Sequence, residues 1–357
     1  MGYIKQLDSV RAIAVLLVII WHWIPKESFI NKFQTGPFGV NIFFVLSGFL
    51  ITQILLKNRN EVEESLVKAK TTILKSYYIR RVLRIFPIYY LTIFLMVVLR
   101  HKLNLSITTG ELISNITYTS NFFIYSTKSW PTASPHFWSL AVEEQFYLFW
   151  PLLMLYFPSK YLIHCILFFI IAGIVSQSFI KDYNFGYLPL NTCFDCLGMG
   201  ALLAWIVVYK PVFLPKFYMI INVSAILSVG IIIFNLLKIS HIVQIRFFHS
   251  ILGVWIITYI LNFRNKKTIL LSILDNRFLI NIGKVSYGIY LYHILYSDLA
   301  FHIWNKFLFK FSITLSDSYY HWLFFVVNFW ILLFICRLSW KYVEKPILTL
   351  KENFKYQ

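Results

Sequence analysis

Long apolar stretches separated by short polar ones run along the chain from one end to the other. The hydrocarbon layer of a bilayer requires about 20 mostly apolar residues of helix, since each residue adds about 1.5 Å. Stretches of roughly that length lie near residues 8–24, 37–56, 80–99, 139–157, 161–179, 193–209, 217–236, 246–263, 283–304 and 320–340. The pattern therefore predicts an all-α integral membrane protein with about ten transmembrane helices.

Composition supports this prediction and excludes two other classes of protein. Hydrophobic residues make up 59% of the 357 residues, and Asp, Glu, Lys and Arg only 13%, where soluble domains have roughly 25%. A soluble domain needs a polar exterior and rarely exposes large apolar patches. A disordered chain would be far less apolar.

The formal net charge of +18 first suggests a nucleic-acid partner, but the position of the charges gives another explanation. If the chain crosses the membrane ten times from a cytoplasmic N-terminus, 23 of the 33 Lys and Arg residues lie on the cytoplasmic side. Such an excess follows the positive-inside rule. We therefore expect both termini in the cytoplasm, the lipid bilayer as a partner, and no nucleic acid.

Asp8 and Ser9, at the start of the first apolar stretch, can cap a helix that then contains two ionisable residues, Arg11 and His22. Eleven residues make three helical turns and about 20° more, so both side chains project from one face, about 16 Å apart. Ionisable groups at membrane depth are costly and mark candidate functional sites. A structural interpretation stays open: Arg11 reaches lipid headgroups, and His22, between Trp21 and Trp23, belongs to an interfacial aromatic belt.

Two further clusters of ionisable residues stand at predicted membrane boundaries. Arg81 and Arg84 share a helix face and can bind phosphates in a bidentate manner, or they carry only headgroup charge. Glu143 and Glu144 lie about two turns inside the fourth stretch and point about 100° apart. A carboxylate there can be a partner of His22 or a structural partner of an arginine.

Polar residues in two later stretches allow weaker interpretations. Cys193 and Cys196 flank Asp195, but a second ligand pair at zinc-like spacing is missing, so apolar packing is favoured and no metal ion is expected. His293 is either a second functional group or a hydrogen-bond partner between helices.

Six motifs together, in their order along the chain, resemble the membrane-bound acyltransferase-3 family. Any one of them alone would be weak evidence. They are LDSVRA at 7–12 followed by His22, FFVLSGFLI at 43–51, RRVLRIFP at 80–87, WSLAVEEQFY at 138–147, VSYGIYLYH at 285–293 and VEKP at 343–346.

The resemblance implies an enzyme of the bacterial cytoplasmic membrane. Such an enzyme moves an acyl group, most often acetyl from cytoplasmic acetyl-CoA, onto a hydroxyl of a cell-envelope carbohydrate such as lipopolysaccharide O-antigen or an exopolysaccharide, free or lipid-linked. No cofactor is permanently bound. The expected organisation is an acyltransferase domain over residues 1–346 and a short cytoplasmic tail over 347–357, without an extracytoplasmic hydrolase-like domain.

The resemblance also assigns roles to particular residues. His22 and Glu143 are the expected catalytic residues, and Arg11, Arg81 and Arg84 the expected donor-binding residues. Relatives often have an Arg shortly before the position of Asp195, and this chain has none there, so Asp195 is not included.

Acyl transfer needs a base for the hydroxyl proton, a role that imidazole suits. We hypothesise that the arginines hold the donor phosphates while its pantetheine arm extends along the first helix to His22, which Glu143 orients. The imidazole acts as a base or carries the acyl group itself. The alternative function is a multi-pass transporter or flippase of a lipid-linked sugar.

Overall fold

The computed structural model describes residues 3–65, 69–180, 182, 184–236, 245–310 and 317–354. Ten long helices run through this part of the chain. They are α1 (Gln6–Trp23), α2 (Thr35–Ser65), α3 (Lys70–Leu99), α4 (Phe137–Tyr156), α5 (Leu162–Ser178), α6 (Phe194–Tyr209), α7 (Leu214–Leu236), α8 (Ile245–Phe263), α9 (Ser286–Lys310) and α10 (Asp317–Ser339). The all-α class is confirmed.

Eight helical segments of the described chain are long and apolar enough to cross a membrane, so the protein is an integral membrane protein. The segments built on α4 and α9 are not among the eight, because α4 carries Glu143 and Glu144 while α9 carries His293, Asp298 and several tyrosines. Ten crossings and cytoplasmic termini stay predictions.

Residues 57–79, between the second and third apolar stretches, carry several acidic and basic side chains. In the structure, α2 continues to Ser65 and α3 already begins at Lys70, so most of the segment extends these two helices. Arg59 holds the end of α2 against α4 by donating to the carbonyl oxygens of Met154 at 2.8 Å and Phe157 at 2.7 Å.

The segment between α3 and α4 contains two short helices, Thr109–Ile116 and Ser120–Thr127. The helix α4 begins at Phe137. The hydroxyl of Ser134, three residues earlier, donates to Glu111 at 2.7 Å.

Helices α1, α2 and α6 form the packed centre of the bundle. The helix α1 lies between α2, α9 and the short helix Arg277–Lys284, and α2 makes its most extensive contact with α6. Two glycines permit this contact: a Cβ atom at Gly48 would overlap the carbonyl oxygen of Leu197, and one at Gly200 would overlap that of Val45. Small residues allow helix backbones to approach closely in membranes, where van der Waals packing rather than hydrophobicity drives association.

The chain after α10 returns to α3. One π-helical turn, Trp340–Glu344, leads into the helix Lys345–Thr349 and a 3-10 turn, Leu350–Asn353. Arg80 of α3 donates to the carbonyl oxygens of Lys351 at 3.1 Å and Phe354 at 3.2 Å. Residues 347–354 of the predicted tail therefore pack on the bundle, and residues 355–357 lie outside the described residues.

We expect the exchange Gly48→Ala to destabilise the protein by about 1–3 kcal/mol, because the added methyl group forces α2 and α6 apart. The measurement is the midpoint of thermal unfolding in detergent. Gly230 of α7 is the matched control, since a Cβ atom there meets nothing within 4 Å. Gly230→Ala should be neutral or stabilising, and equal midpoints for both variants would contradict the role of the glycine contact.

Candidate active site

Two neighbouring arginines of α3 meet an arginine of α1 near the N-terminal end of α1. The charges of Arg11 on α1 and Arg81 on α3 act on the guanidinium of Arg84, as does that of Asp8. Arg11 donates a short hydrogen bond to Asp8. Arg11, Arg81 and Arg84, called the arginine cluster below, are therefore brought together as the sequence predicts.

Asp8 does not cap α1, although its position suggested a cap. The helix starts earlier, at Gln6, and the carboxylate of Asp8 contacts Arg11 and Tyr3 instead. Ser9 donates to the carbonyl oxygen of Leu274 at 2.6 Å. The first turn thus joins α1 to its neighbours and supplies a counter-charge to the arginines.

The side chain of Arg84 is exposed, while Ile85 and Ile88 beside it are buried. Arg84 therefore lies at the edge of the packed core. Arg81 lies over the ring of Tyr147, with the guanidinium carbon 4.8 Å from the ring centre. Such stacking fixes the plane of a guanidinium.

Glu143 belongs to the surroundings of the arginine cluster. Its Oε1 accepts a hydrogen bond of 2.7 Å from Ser47, whose hydroxyl also lies 2.9 Å from that of Tyr147. The charges of Arg81 and Arg84 act on this carboxylate. Ser47 comes from the FFVLSGFLI motif of α2, which explains how that motif contributes to the site.

The last part of the chain adds two residues to the same region. Glu344, in the π-helical turn, is buried and close enough to Arg84 to interact with its charge. The ammonium group of Lys351 interacts with the charges of Arg80, Arg81 and Arg84. π-helical turns inserted in α-helices frequently occur at functional sites.

Three imidazoles gather near the other end of α1. The nearest nitrogens of His22 and His293 are 3.2 Å apart and their ring centres 4.9 Å apart. The ring of His136, which directly precedes α4, lies 4.7 Å from that of His293. We call His22, His136 and His293 the histidine cluster.

The imidazole of His22 is exposed although Val18, Trp23 and His293 around it are buried. Its Nδ1 lies 2.9 Å from the carbonyl oxygen of Val18 and faces His293. In the described part of the chain, no hydrogen bond occupies its Nε2. His22 therefore keeps exposed surface at the edge of the packed core.

The predicted pairing of Glu143 with His22 is not formed. Within the described residues, the carboxylate receives its hydrogen bond from Ser47, and the imidazole contacts Val18 and His293 instead. The reason is the entry of α4, which places His136 rather than Glu143 at the depth of His22 and directs Glu143 toward the arginines.

Polar groups connect the two clusters. Tyr290 of α9 has its hydroxyl 2.5 Å from that of Ser139, and its ring centre lies 5.7 Å from that of His293. The charge of Glu143 acts on the same tyrosine. Ser139 and Tyr290 are therefore polar residues between the arginine and histidine clusters.

Asp195 is buried in a separate polar cluster, where Arg246 of α8 supplies the cation that the preceding residues lack. Arg246 donates to Asn41 at 3.0 Å and to the carbonyl oxygen of Tyr187 at 2.8 Å, and its Nη2 lies 2.9 Å from the Sγ of Cys193. Because these donors are used within the protein, the cluster is a structural tie between α2, α6 and α8.

Glu111, in the segment before α4, is buried, and this burial raises the pKa of its carboxyl. It accepts the hydrogen bond from Ser134, and Ser134 in turn accepts one of 2.9 Å from Asn115. Ser134 stands two residues before His136. This network therefore fixes the turn that delivers His136 to the histidine cluster.

Comparison with known proteins assigns the chain to a family. Residues 4–340 match the acyltransferase domain model Acyl_transf_3, so the chain belongs to the acyltransferase-3 family, as its motifs predicted. No solved structure matches the chain.

The curated relatives carry names of O-acetyltransferases. A Staphylococcus aureus protein named "Putative O-acetyltransferase" is 33% identical over 325 residues, which are 82% of this chain and 50% of the relative. The peptidoglycan O-acetyltransferase OatA of Listeria monocytogenes is 32% identical over 323 residues, 82% of this chain and 49% of its own length. The chain thus spans about half the length of these relatives.

Sequence reasoning left out His136, Ser47 and Lys351 and left the role of His293 open. His136 precedes the WSLAVEEQFY motif by two residues, and Ser47 and His293 lie inside other motifs. Inclusion of every polar residue within or beside the motifs would have found His136, Ser47 and His293. Lys351 has no such signal, since only the return of the chain onto α3 brings it to the arginines.

We expect Glu111→Gln to keep or raise stability at neutral pH. A raised pKa in the folded state means that folding favours the protonated carboxyl, so stability is greatest below the usual pKa and falls as pH rises toward the raised value. The glutamine is neutral at every pH and still accepts from Ser134. Unfolding midpoints measured from pH 4 to 8 should therefore fall less steeply for the variant than for the intact protein.

The control is Glu27→Gln, an exposed carboxylate outside this network, which should leave the pH dependence unchanged. A large loss of stability in Glu111→Gln at pH 8 would show that the ionised carboxylate is required, contrary to the expectation.

Proposed function

We propose that the protein acetylates a hydroxyl of a cell-envelope glycan, with acetyl-CoA as the donor, in the cytoplasmic membrane of a bacterium. The family and the names of its relatives support O-acetyl transfer. The observation that carries the proposal is the placement of the arginine cluster and an accessible imidazole at the two ends of α1. Peptidoglycan is the first acceptor to test, because OatA carries it in its name.

The arginine cluster fits the phosphates of a coenzyme A thioester. Arg11, Arg81 and Arg84 offer several N–H donors to an anion, and guanidinium groups pair with phosphate in a bidentate manner. The exposed Arg84 is the group that a donor meets first, and Lys351 adds a fourth cation. The like charges repel one another, and the carboxylates of Asp8 and Glu143 offset part of this repulsion.

The length of α1 suits the proposed donor. Arg11 and His22 are eleven residues apart, so about 16 Å of helix separates them. This length is of the order of an extended pantetheine arm. The thioester would then reach the open edge of His22 while the phosphates stay at the arginines.

His22 supplies the group that the reaction needs. The oxygen of the acceptor hydroxyl bonds to the acyl carbon, the carbon–sulfur bond breaks, and the hydroxyl proton leaves to a base. An unprotonated imidazole nitrogen serves here, whether it takes the proton directly or first receives the acyl group. Glu143, which is hydrogen-bonded to Ser47 beside the arginines, balances their charge.

The first experiment uses sealed membrane vesicles and radiolabelled acetyl-CoA. We expect base-labile label in the glycan fraction when the cytoplasmic face of the vesicles is exposed, and none in tight vesicles of opposite orientation. His22→Gln should abolish the label. A transporter would form no new ester, so absence of ester from an inserted, folded chain supplied with acetyl-CoA and peptidoglycan would contradict the proposal.

Arg84→Gln tests the donor site. One charge-assisted hydrogen bond to phosphate is worth about 1.5–3 kcal/mol, so we expect the KM for acetyl-CoA to rise about 10- to 100-fold. The KM for the acceptor should stay unchanged. Arg337→Gln is the control, because this exposed arginine near the end of α10 lies outside the cluster. Equal KM values for both variants would remove Arg84 from the donor site.

A further inference from the structure

We propose that His293 is the positioning residue of His22. Its Nε2 accepts a hydrogen bond from the Nδ1–H of His22 and thereby keeps Nε2 of His22 unprotonated toward the reactants. The catalytic consequence rests on the proposed acyl transfer, whereas the hydrogen bond can be tested independently. Sequence reasoning gave this orienting role to Glu143.

The proton on His293 is located by its backbone contact. Its Nδ1 lies 2.6 Å from the carbonyl oxygen of Tyr290, and a carbonyl oxygen only accepts hydrogen bonds. Nδ1 therefore carries the proton. A neutral imidazole has one N–H group, so the other nitrogen, Nε2, offers a lone pair.

The same reasoning locates the proton on His22. Its Nδ1 lies 2.9 Å from the carbonyl oxygen of Val18 and 3.2 Å from the Nε2 of His293, and both of these are acceptors. The Nδ1–H group is therefore shared between them. The carbonyl oxygen of Val18 has a second lone pair beside the one used within α1, so both acceptors hold this N–H group, Val18 at 2.9 Å and His293 at 3.2 Å. Nε2 of His22 is left basic and free.

His293 cannot turn away easily. Its side chain is fully buried, and the indole N–H of Trp23 donates to its backbone carbonyl at 3.2 Å. The ring of His136 packs at 4.7 Å, held by a contact of 3.2 Å between its Nε2 and the carbonyl oxygen of Leu291. The other titratable groups near His22 are the imidazoles of His136 and His293. The charge of Lys26 also acts on His22.

The hydrogen bond gains strength during the reaction. When Nε2 of His22 takes the hydroxyl proton, the ring becomes an imidazolium and its Nδ1–H a stronger donor to His293. The proton then passes from Nε2 to the departing thiolate, and the ring returns to its neutral form. An interaction that is stronger in the transition state than in the ground state raises kcat rather than substrate affinity.

The test compares His293→Leu with His293→Gln. Leucine removes the acceptor, whereas the amide oxygen of glutamine can replace it. We expect kcat to fall about 10- to 100-fold in the leucine variant, the range for loss of an orienting partner. Both KM values should change less than about twofold, and the glutamine variant should recover most of kcat. His302→Leu, further along α9, is the control and should leave kcat unchanged.

A spectroscopic measurement tests the hydrogen bond without activity. In protein labelled with 15N-histidine, the signal of His22 is assigned by its absence from His22→Gln. We expect the Nδ1 shift of His22 to move in His293→Leu and to stay close to the native value in His293→Gln.

An unchanged Nδ1 shift in folded His293→Leu would overturn the inference, as would a higher KM with an unchanged kcat. The two proposals fail differently. If the intact chain transfers no acyl group, the proposed function fails, and the Nδ1 shift still decides whether His293 holds His22.

Discussion

A charged group among apolar helices must find compensating groups within the protein, and this constraint organises the whole bundle. The charge of Arg11 is compensated by Asp8 within the first turns of α1. The charge of Glu143 is compensated by Ser47 and the arginines. Removal of one member leaves a buried charge without its partner, which costs far more than a lost surface ion pair. The ionisable residues therefore occur in groups, and each group joins several helices.

The groups have different roles because they have different access. Arg246 and Asp195 are enclosed, with their hydrogen bonds directed to the protein, so they tie helices together. Arg84 and His22 are exposed beside buried neighbours, so part of each side chain remains available. Exposure next to a packed core, rather than charge alone, separates the candidate site from structural polar residues.

The site also depends on close helix packing. Gly48 lies one residue from Ser47, and the contact it permits between α2 and α6 sets the position of Ser47 relative to Glu143 and Tyr147. At the other end of the site, the turn fixed by Glu111 and Ser134 delivers His136. Packing at both ends therefore supports the chemistry without taking part in it.

The sequence by itself determined the helical class, the apolar segments, the family motifs and the shared helix face of Arg81 and Arg84, because the period of a helix and the cost of charge in hydrocarbon are local properties. Tertiary structure alone decided which side chain faces His22. The sequence suggested Glu143 and left the role of His293 open, and the outcome depended on how deep α4 starts and how α9 packs against α1. Such contacts between residues 271 positions apart leave no periodic signal in the chain.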